Sequence, residues 1–329
     1  MPPSPAPDVQ LADAVAAVLR LAHALDRAEP VLAGLVRQRL AYESAARLGF
    51  GPDPVGHADL FDALFARPPA KGDRLQRREG VHRAAEAHAA LFAMADRPVD
   101  GRPRSWQAPP SPGQAVLAAV QAQLAVRPDD PASLAPTVAA LRALAAADLL
   151  PPPLPPVAWR VPQGGTDAEI ARGALRAMTD AFVSAERTVT AARAFADRAT
   201  AELAAAGERT SRQAKTLAFG LAGLPVLTHT VLARALGEGE TGIGKTQFRS
   251  LIARAERLGL ACEVTGRRKA CGWVAASDAL TPSFVLPGGR VEPPRADRLA
   301  ARDALDLARH DAAAADAMAA LDAVLPSEG

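Results

Sequence analysis

Between Gly239 and Lys269 the chain gathers side chains suited to holding phosphates or to hydrogen-bonding base edges. Gly239-Glu240-Thr241-Gly242-Ile243-Gly244-Lys245-Thr246 satisfies the pattern G-x-x-x-x-G-K-[ST] in full. In a phosphate-binding loop of that kind, backbone N–H groups cradle the phosphates, the Lys reaches the outer ones and the Thr hydroxyl holds magnesium. The same residues open a second chemistry. Thr246, Gln247, Arg249 and Ser250 are short polar or forked side chains of the types that read bases in a major groove. Lys245, Arg267, Arg268 and Lys269 are point or planar cations of the kind that meet phosphate oxygens.

The elements that would position these residues separate the two chemistries. A phosphate-binding loop leaves a buried strand and enters a helix, within a parallel sheet that carries an acidic metal partner. Here the preceding residues run at helical spacing through Val231, Leu232 and Leu236, with Thr228 as an N-cap, and they include Arg234. The glycine-rich break Gly237, Gly239, Gly242, Gly244 then ends that helix. A second helix follows, with Phe248, Leu251, Ile252, Ala255 and Leu258 on one stripe and Lys245, Gln247, Arg249, Ser250, Arg254 and Arg257 opposite. Gly259 stands where a C′ glycine belongs. Two short runs, Ala261 to Thr265 and Ala270 to Ala275, flank Gly266-Arg267-Arg268-Lys269, which predicts a hairpin with a basic tip. Helix, turn, helix and hairpin in this order predict a winged helix-turn-helix for residues 207–276. From Gly207 to Ala275 there are eleven Lys/Arg against five Glu and no Asp, in a chain whose formal net charge is only +2. Local excess of this sort is the electrostatic footprint expected of a protein that meets duplex DNA at one place.

The run from Ile243 to Leu260, with Glu263-Val264-Thr265-Gly266-Arg267-Arg268, resembles the C-terminal winged helix appended to many Fic-domain proteins. It also resembles the tail of an uncharacterised rhizobial-type (alphaproteobacterial) family that joins a helical domain of unknown function to a helix-turn-helix. The resemblance extends, more loosely, to residues 15–65 around Arg39-Leu40-Ala41-Tyr42-Glu43-Ser44. In those tails a Ser or Thr caps the recognition helix where Gly244 stands here. The Fic catalytic signature, His-Pro-Phe followed by a glycine-rich Asn-Gly-Arg loop, is absent, so the resemblance implies DNA binding and no AMP transfer.

The rest of the chain is written in helices. Aromatic residues make up 4% of the sequence, and Ala and Leu dominate, which favours helices packed through small side chains. Residues 1–96 read as a helical domain: one stripe of Leu11, Val15, Val18, Leu19, Ala22 and Leu25, a second of Leu32, Leu35, Val36, Leu40 and Tyr42, and further helices at 58–65 and 81–95. His82, Glu86 and His88 spread around their helix rather than converging, which favours a solvated face over a metal site. Residues 97–165 read as Pro-rich linkers, including the stiff spacer Pro151 to Pro156, with two short helices at 114–125 and 133–147. Residues 166–206 read as one long helix. Its apolar residues alternate three and four apart: Leu175, Met178, Phe182, Ala185, Val189, Ala192, Ala196, Ala199, Leu203. That seam suits either a homodimer, joined through Leu175, Met178, Phe182 and Val189, or the chain's own helices. Residues 277–329 read as a Pro/Gly-rich loop and a last helix.

These readings make the fold class mostly α, with a multi-helix N-terminal domain, a long central helix and a C-terminal winged helix-turn-helix bearing a small β-hairpin wing. Two cysteines, no basic leader and no long apolar span suggest a cytoplasmic protein. With a turn at Gly266-Arg267, Cys262 and Cys271 would face each other across the wing. No paired acid and base, nucleophile or metal-ligand set is evident, so the expectation is a non-enzymatic protein without cofactor, whose partner is double-stranded DNA. Transcriptional regulation is the first expectation for its role. Plasmid or phage maintenance, a protein-interaction scaffold, and nucleotide binding through Gly239 to Thr246 are the alternatives.

Overall fold

The computed structural model describes residues 7–50, 110–126, 135–150, 154–160, 164–206, 211–236, 242–263, 271–277 and 279–280. Within these, the chain forms α1 (Pro7–Asp26), α2 (Pro30–Phe50), α3 (Pro112–Ala125), α4 (Ala135–Ala146), α5 (Asp167–Ala205), α6 (Ser211–Gly223), α7 (His229–Leu236) and α8 (Lys245–Arg257). Two strands, β1 (Ala261–Glu263) and β2 (Trp273–Ala275), pair antiparallel in one sheet. The protein is thus mostly helical. The expected helices at 58–65, 81–95 and 294–324, the His82-Glu86-His88 constellation and the basic tip Arg267-Arg268-Lys269 lie outside the described residues. Among the described residues no helix is long and apolar enough to cross a membrane.

Helix α5 organises the packing, because α1, α2, α3 and α6 all lie against it. Its start is fixed by a capping box: the Thr166 hydroxyl accepts from the Glu169 N–H (3.3 Å), and the Glu169 carboxylate accepts from the Thr166 N–H (2.8 Å). These bonds from Thr166 hold the Glu169 carboxyl below its ordinary pKa. The predicted seam is buried along its whole length, from Leu175, Met178 and Phe182 to Val189, Ala196 and Leu203. It is buried within a single chain. Leu175, Met178, Phe182 and Val189 therefore do not form the free seam that a homodimer would need. The alanines of α5, together with Ala14 and Ala17 of α1, present so little side chain that the helices close on one another directly. This also corrects the expected face of α1, where Leu19 is 42% exposed while Ala14, Ala17 and Leu21 are fully buried.

Residues 154–159 are part of the core rather than a spacer. Leu154, Val157, Ala158 and Trp159 are buried, and the Trp159 ring lies 5.6 Å from that of Phe182. Burying an irregular segment is costly when its backbone groups lack partners. Pro155 and Pro156 reduce that cost by having no N–H to satisfy. Side chains satisfy other groups: Ser44 accepts from the Ala158 N–H (3.1 Å) and donates to the Pro156 carbonyl (2.9 Å), and Thr137 donates to the Trp159 carbonyl (3.2 Å). Tyr42 and Ser44 are both buried here.

One charged residue sits at the centre of the contact between α2 and α6. Arg39 is 1% exposed, and its guanidinium donates to the carbonyls of Leu221 (3.3 Å), Ala222 (3.1 Å), Leu224 (2.5 Å) and Leu280 (2.6 Å). The first two are last-turn carbonyls of α6, which have no partner inside their own helix. Burial lowers the Arg39 pKa to about 10, with Glu43 and Tyr42 acting in the opposite direction. The group therefore remains charged at neutral pH. Close approach here depends on glycine: a Cβ on Gly223 would collide with the Leu35 Cβ. The result is one continuous core that runs from Ala14 of α1 through α5 and α6 to Ala275 of β2.

Candidate nucleic-acid interface

The described part of the polar stretch, residues 242–263, runs through α8 into β1, with α6, α7 and β2 packed around it. Thr228 caps α7 as expected, its hydroxyl accepting from the Val231 N–H at 3.0 Å. Residue 227, just before the cap, forms a one-residue bridge with β2: Leu227 and Trp273 exchange both backbone hydrogen bonds, at 2.6 and 2.9 Å. The His229 Nε2–H points to the Ile243 carbonyl at 3.1 Å. The His229 ring also meets Phe248 edge to face at 5.6 Å, and Phe248 meets Trp273 at 5.9 Å. These contacts hold α8 against both α7 and the hairpin.

Helix α8 divides sharply by face. Phe248, Leu251, Ile252 and Ala255 are buried, and Lys245, Thr246, Gln247, Arg249 and Ser250 are exposed. Leu258, expected on the apolar stripe, is 39% exposed, because it is the C-cap, where the helix has already ended. Gly259, at φ +69°, is the left-handed residue of a Schellman turn. Its N–H bonds the Glu256 carbonyl (3.0 Å) and the Leu260 N–H bonds the Ala255 carbonyl (2.8 Å). Lys245 and Arg249 have no ion-pair partner among the described residues, nor does Arg212 at the start of α6, which is also exposed.

At the N-terminus of α8, Gly244 supplies no capping side chain, and Gln247 takes over. Its Oε1 accepts from the Gly244 N–H at 3.1 Å. Gln213 of α6 completes the arrangement by donating from Nε2 to the Gly242 carbonyl (3.0 Å) and to Gln247 Oε1 (3.4 Å). Sequence reasoning missed Gln213 and Arg212, which lie in the helix before the turn and carry no local pattern. The phosphate-loop geometry has a different neighbourhood from the one its chemistry requires. Among the described residues, the element before Gly242-Ile243-Gly244-Lys245-Thr246 is helix α7, and the strands that follow α8 are antiparallel.

The hairpin corrects the cysteine pairing. The register sets Ala261 against Ala275, Cys262 against Val274 and Glu263 against Trp273. Cys271 lies three residues from Val274, about 10 Å of extended chain, whereas a bridge needs Cα atoms within about 7 Å. Neither cysteine is in a disulfide. No protein-family model matches the chain, and no curated protein matches it at a significant level.

Proposed function

We propose that residues 211–275 are a winged helix-turn-helix that binds double-stranded DNA, with α8 in the major groove and the β1–β2 hairpin as the wing. The observation that carries this reading is the divided face of α8: four apolar residues buried, and Lys245, Thr246, Gln247, Arg249 and Ser250 exposed together. A helix so divided can present its N-terminal half to base edges without exposing its packing stripe. Thr246, Gln247, Arg249 and Ser250 meet bases. Lys245 and the hairpin's Arg267, Arg268 and Lys269 meet phosphates. The order of α6, the Leu227 bridge, α7, α8, β1 and β2 supports this reading, as does the resemblance to helix-turn-helix tails. Transcriptional regulation is the role that fits a sequence-reading helix of this kind.

Full-length protein titrated against fluorescent duplexes over a range of salt tests it. Affinity should fall steeply with salt, and Lys245→Ala should weaken binding to all sequences while reducing the log–log slope by about one. Arg249→Ala should cost about 1–3 kcal/mol on a selected sequence and less on random duplex. Magnesium-dependent ATP turnover that Lys245→Ala abolishes, with no duplex binding by the wild type, would replace this reading with the nucleotide one.

A further inference from the structure

A glutamine that reads DNA ordinarily does so through both ends of its amide. The oxygen accepts from the adenine N6 amine while the nitrogen donates to adenine N7. Gln247 is not in a position to do this. Its Oε1 has two lone pairs, and both are occupied: one by the Gly244 N–H at 3.1 Å, the other by Gln213 Nε2 at 3.4 Å. The amide cannot be turned round, because the Gly244 N–H is a donor and must face the oxygen. Gln213 is itself fixed, since its Nε2 also donates to the Gly242 carbonyl at 3.0 Å. What Gln247 turns outward is its Nε2, which has no partner among the described residues and carries two N–H groups.

We propose that Gln213 determines which base Gln247 reads: by holding its oxygen, it makes Gln247 a donor-only group that takes guanine and refuses adenine. This rests on the DNA-binding reading above. Guanine offers two acceptors in the major groove, O6 and N7, whereas adenine sets an N6 amine beside its N7. Two outward N–H groups match the first edge, and one of them collides with a donor on the second. The Gln213 side chain touches no base in this arrangement. It is a positioning residue, acting through the amide of Gln247.

Selection of the full-length protein on a randomised duplex library, read by sequencing, is the test. The wild type should prefer guanine over adenine by about tenfold at one base pair. Gln247→Ala should erase the preference at that pair alone. Gln213→Met, which keeps the stem but gives up both donors, should free one lone pair of Oε1. The preference should then drop below about threefold or turn to adenine, with the other positions unchanged. Gln247→Glu retains an oxygen for the Gly244 N–H and replaces the outward amine with an acceptor, so guanine should be lost there even where Gln213→Met fails to fold. Adenine at the Gln247-dependent pair of the wild type, or a preference that neither variant shifts, overturns the proposal and leaves DNA binding standing. Binding without any sequence preference does the same, since Gln247 then reads no base. Absence of duplex binding overturns both.

Discussion

Arg39 shows how much a single side chain can hold when it is placed at a helix end. The last carbonyls of α6 carry the negative end of the helix dipole and have no intrahelical donors. A guanidinium is the group that can satisfy several of them at once, because its N–H donors are fixed in a planar fork. Removing it would leave the carbonyls of Leu221, Ala222, Leu224 and Leu280 to find other partners in a buried site. Arg39→Met, similar in length and apolar, should therefore destabilise the protein by about 3–5 kcal/mol, as loss of a buried polar partner does. That is a large share of the roughly 5–15 kcal/mol that holds a typical domain. Arg39→Lys should recover only part of it, since an ammonium cannot span four carbonyls. Urea unfolding of the three proteins measures this. A Lys variant as stable as the wild type would mean that charge alone, and not the fork, is what α6 needs. By contrast, the Lys215–Glu29 ion pair at 2.6 Å joins α6 to the start of α2 with both side chains about half exposed, and it is worth at most about 1 kcal/mol.

At the scale of elements, the sequence shows which faces are buried but not what buries them. The three-four alternation of α5 is legible from Leu175 to Leu203 because a helix repeats its faces every 3.6 residues. The same pattern would serve a second subunit or the chain's own helices, and only the packing of α1, α2, α3 and α6 against it decides. Phe182→Glu should accordingly unfold the protein or cost more than about 4 kcal/mol, as an unpaired buried charge does. A stable, folded monomer carrying that substitution would return the seam to a subunit interface. Glycine is similarly ambiguous in sequence. Gly34 and Gly223 both lie within helices, yet a Cβ on Gly34 meets nothing within 4 Å, and one on Gly223 collides with Leu35. Gly34→Ala should add about 0.5–1 kcal/mol to stability through lost chain entropy, and Gly223→Ala should remove about 1–3 kcal/mol through overpacking. Thermal melts with opposite shifts would bear this out. Equal shifts would show that α2 and α6 can move apart. The strands were less legible still: three residues are too few for alternation to be read, and their register hung on a turn position that placed Cys262 opposite the wrong partner. The proline run at 151–156 pointed to a linker because prolines deny a helix its donors. The same lack of donors is what lets Pro155 and Pro156 be buried.

For the molecule as a whole, the continuous core bears on how the proposed DNA-binding unit relates to the helices before it. Residues 207–276 have the length and pattern of a unit that could fold alone, which is how the sequence divides them. Yet Arg39 of α2 binds the end of α6, Gly223 of α6 packs against Leu35 of α2, and α5 lies along α6. A unit tied on that many sides should not melt on its own. Two tryptophans report the two regions separately: Trp159 stands against Phe182 of α5, and Trp273 stands against Phe248 of α8. With Trp106 replaced by Phe, a further Trp273→Phe substitution leaves Trp159 as the only indole, and Trp159→Phe leaves Trp273. If the core unfolds cooperatively, fluorescence of the two single-tryptophan proteins in urea should give the same midpoint, matching loss of helix by circular dichroism in each. Arg39→Met should then lower both midpoints together. A Trp273 transition at distinctly lower urea, with Trp159 and most of the helix intact, would show that α7, α8 and the hairpin open independently. The contacts of Arg39 would in that case fasten α6 to the helical body without coupling the rest of the proposed DNA-binding face to it.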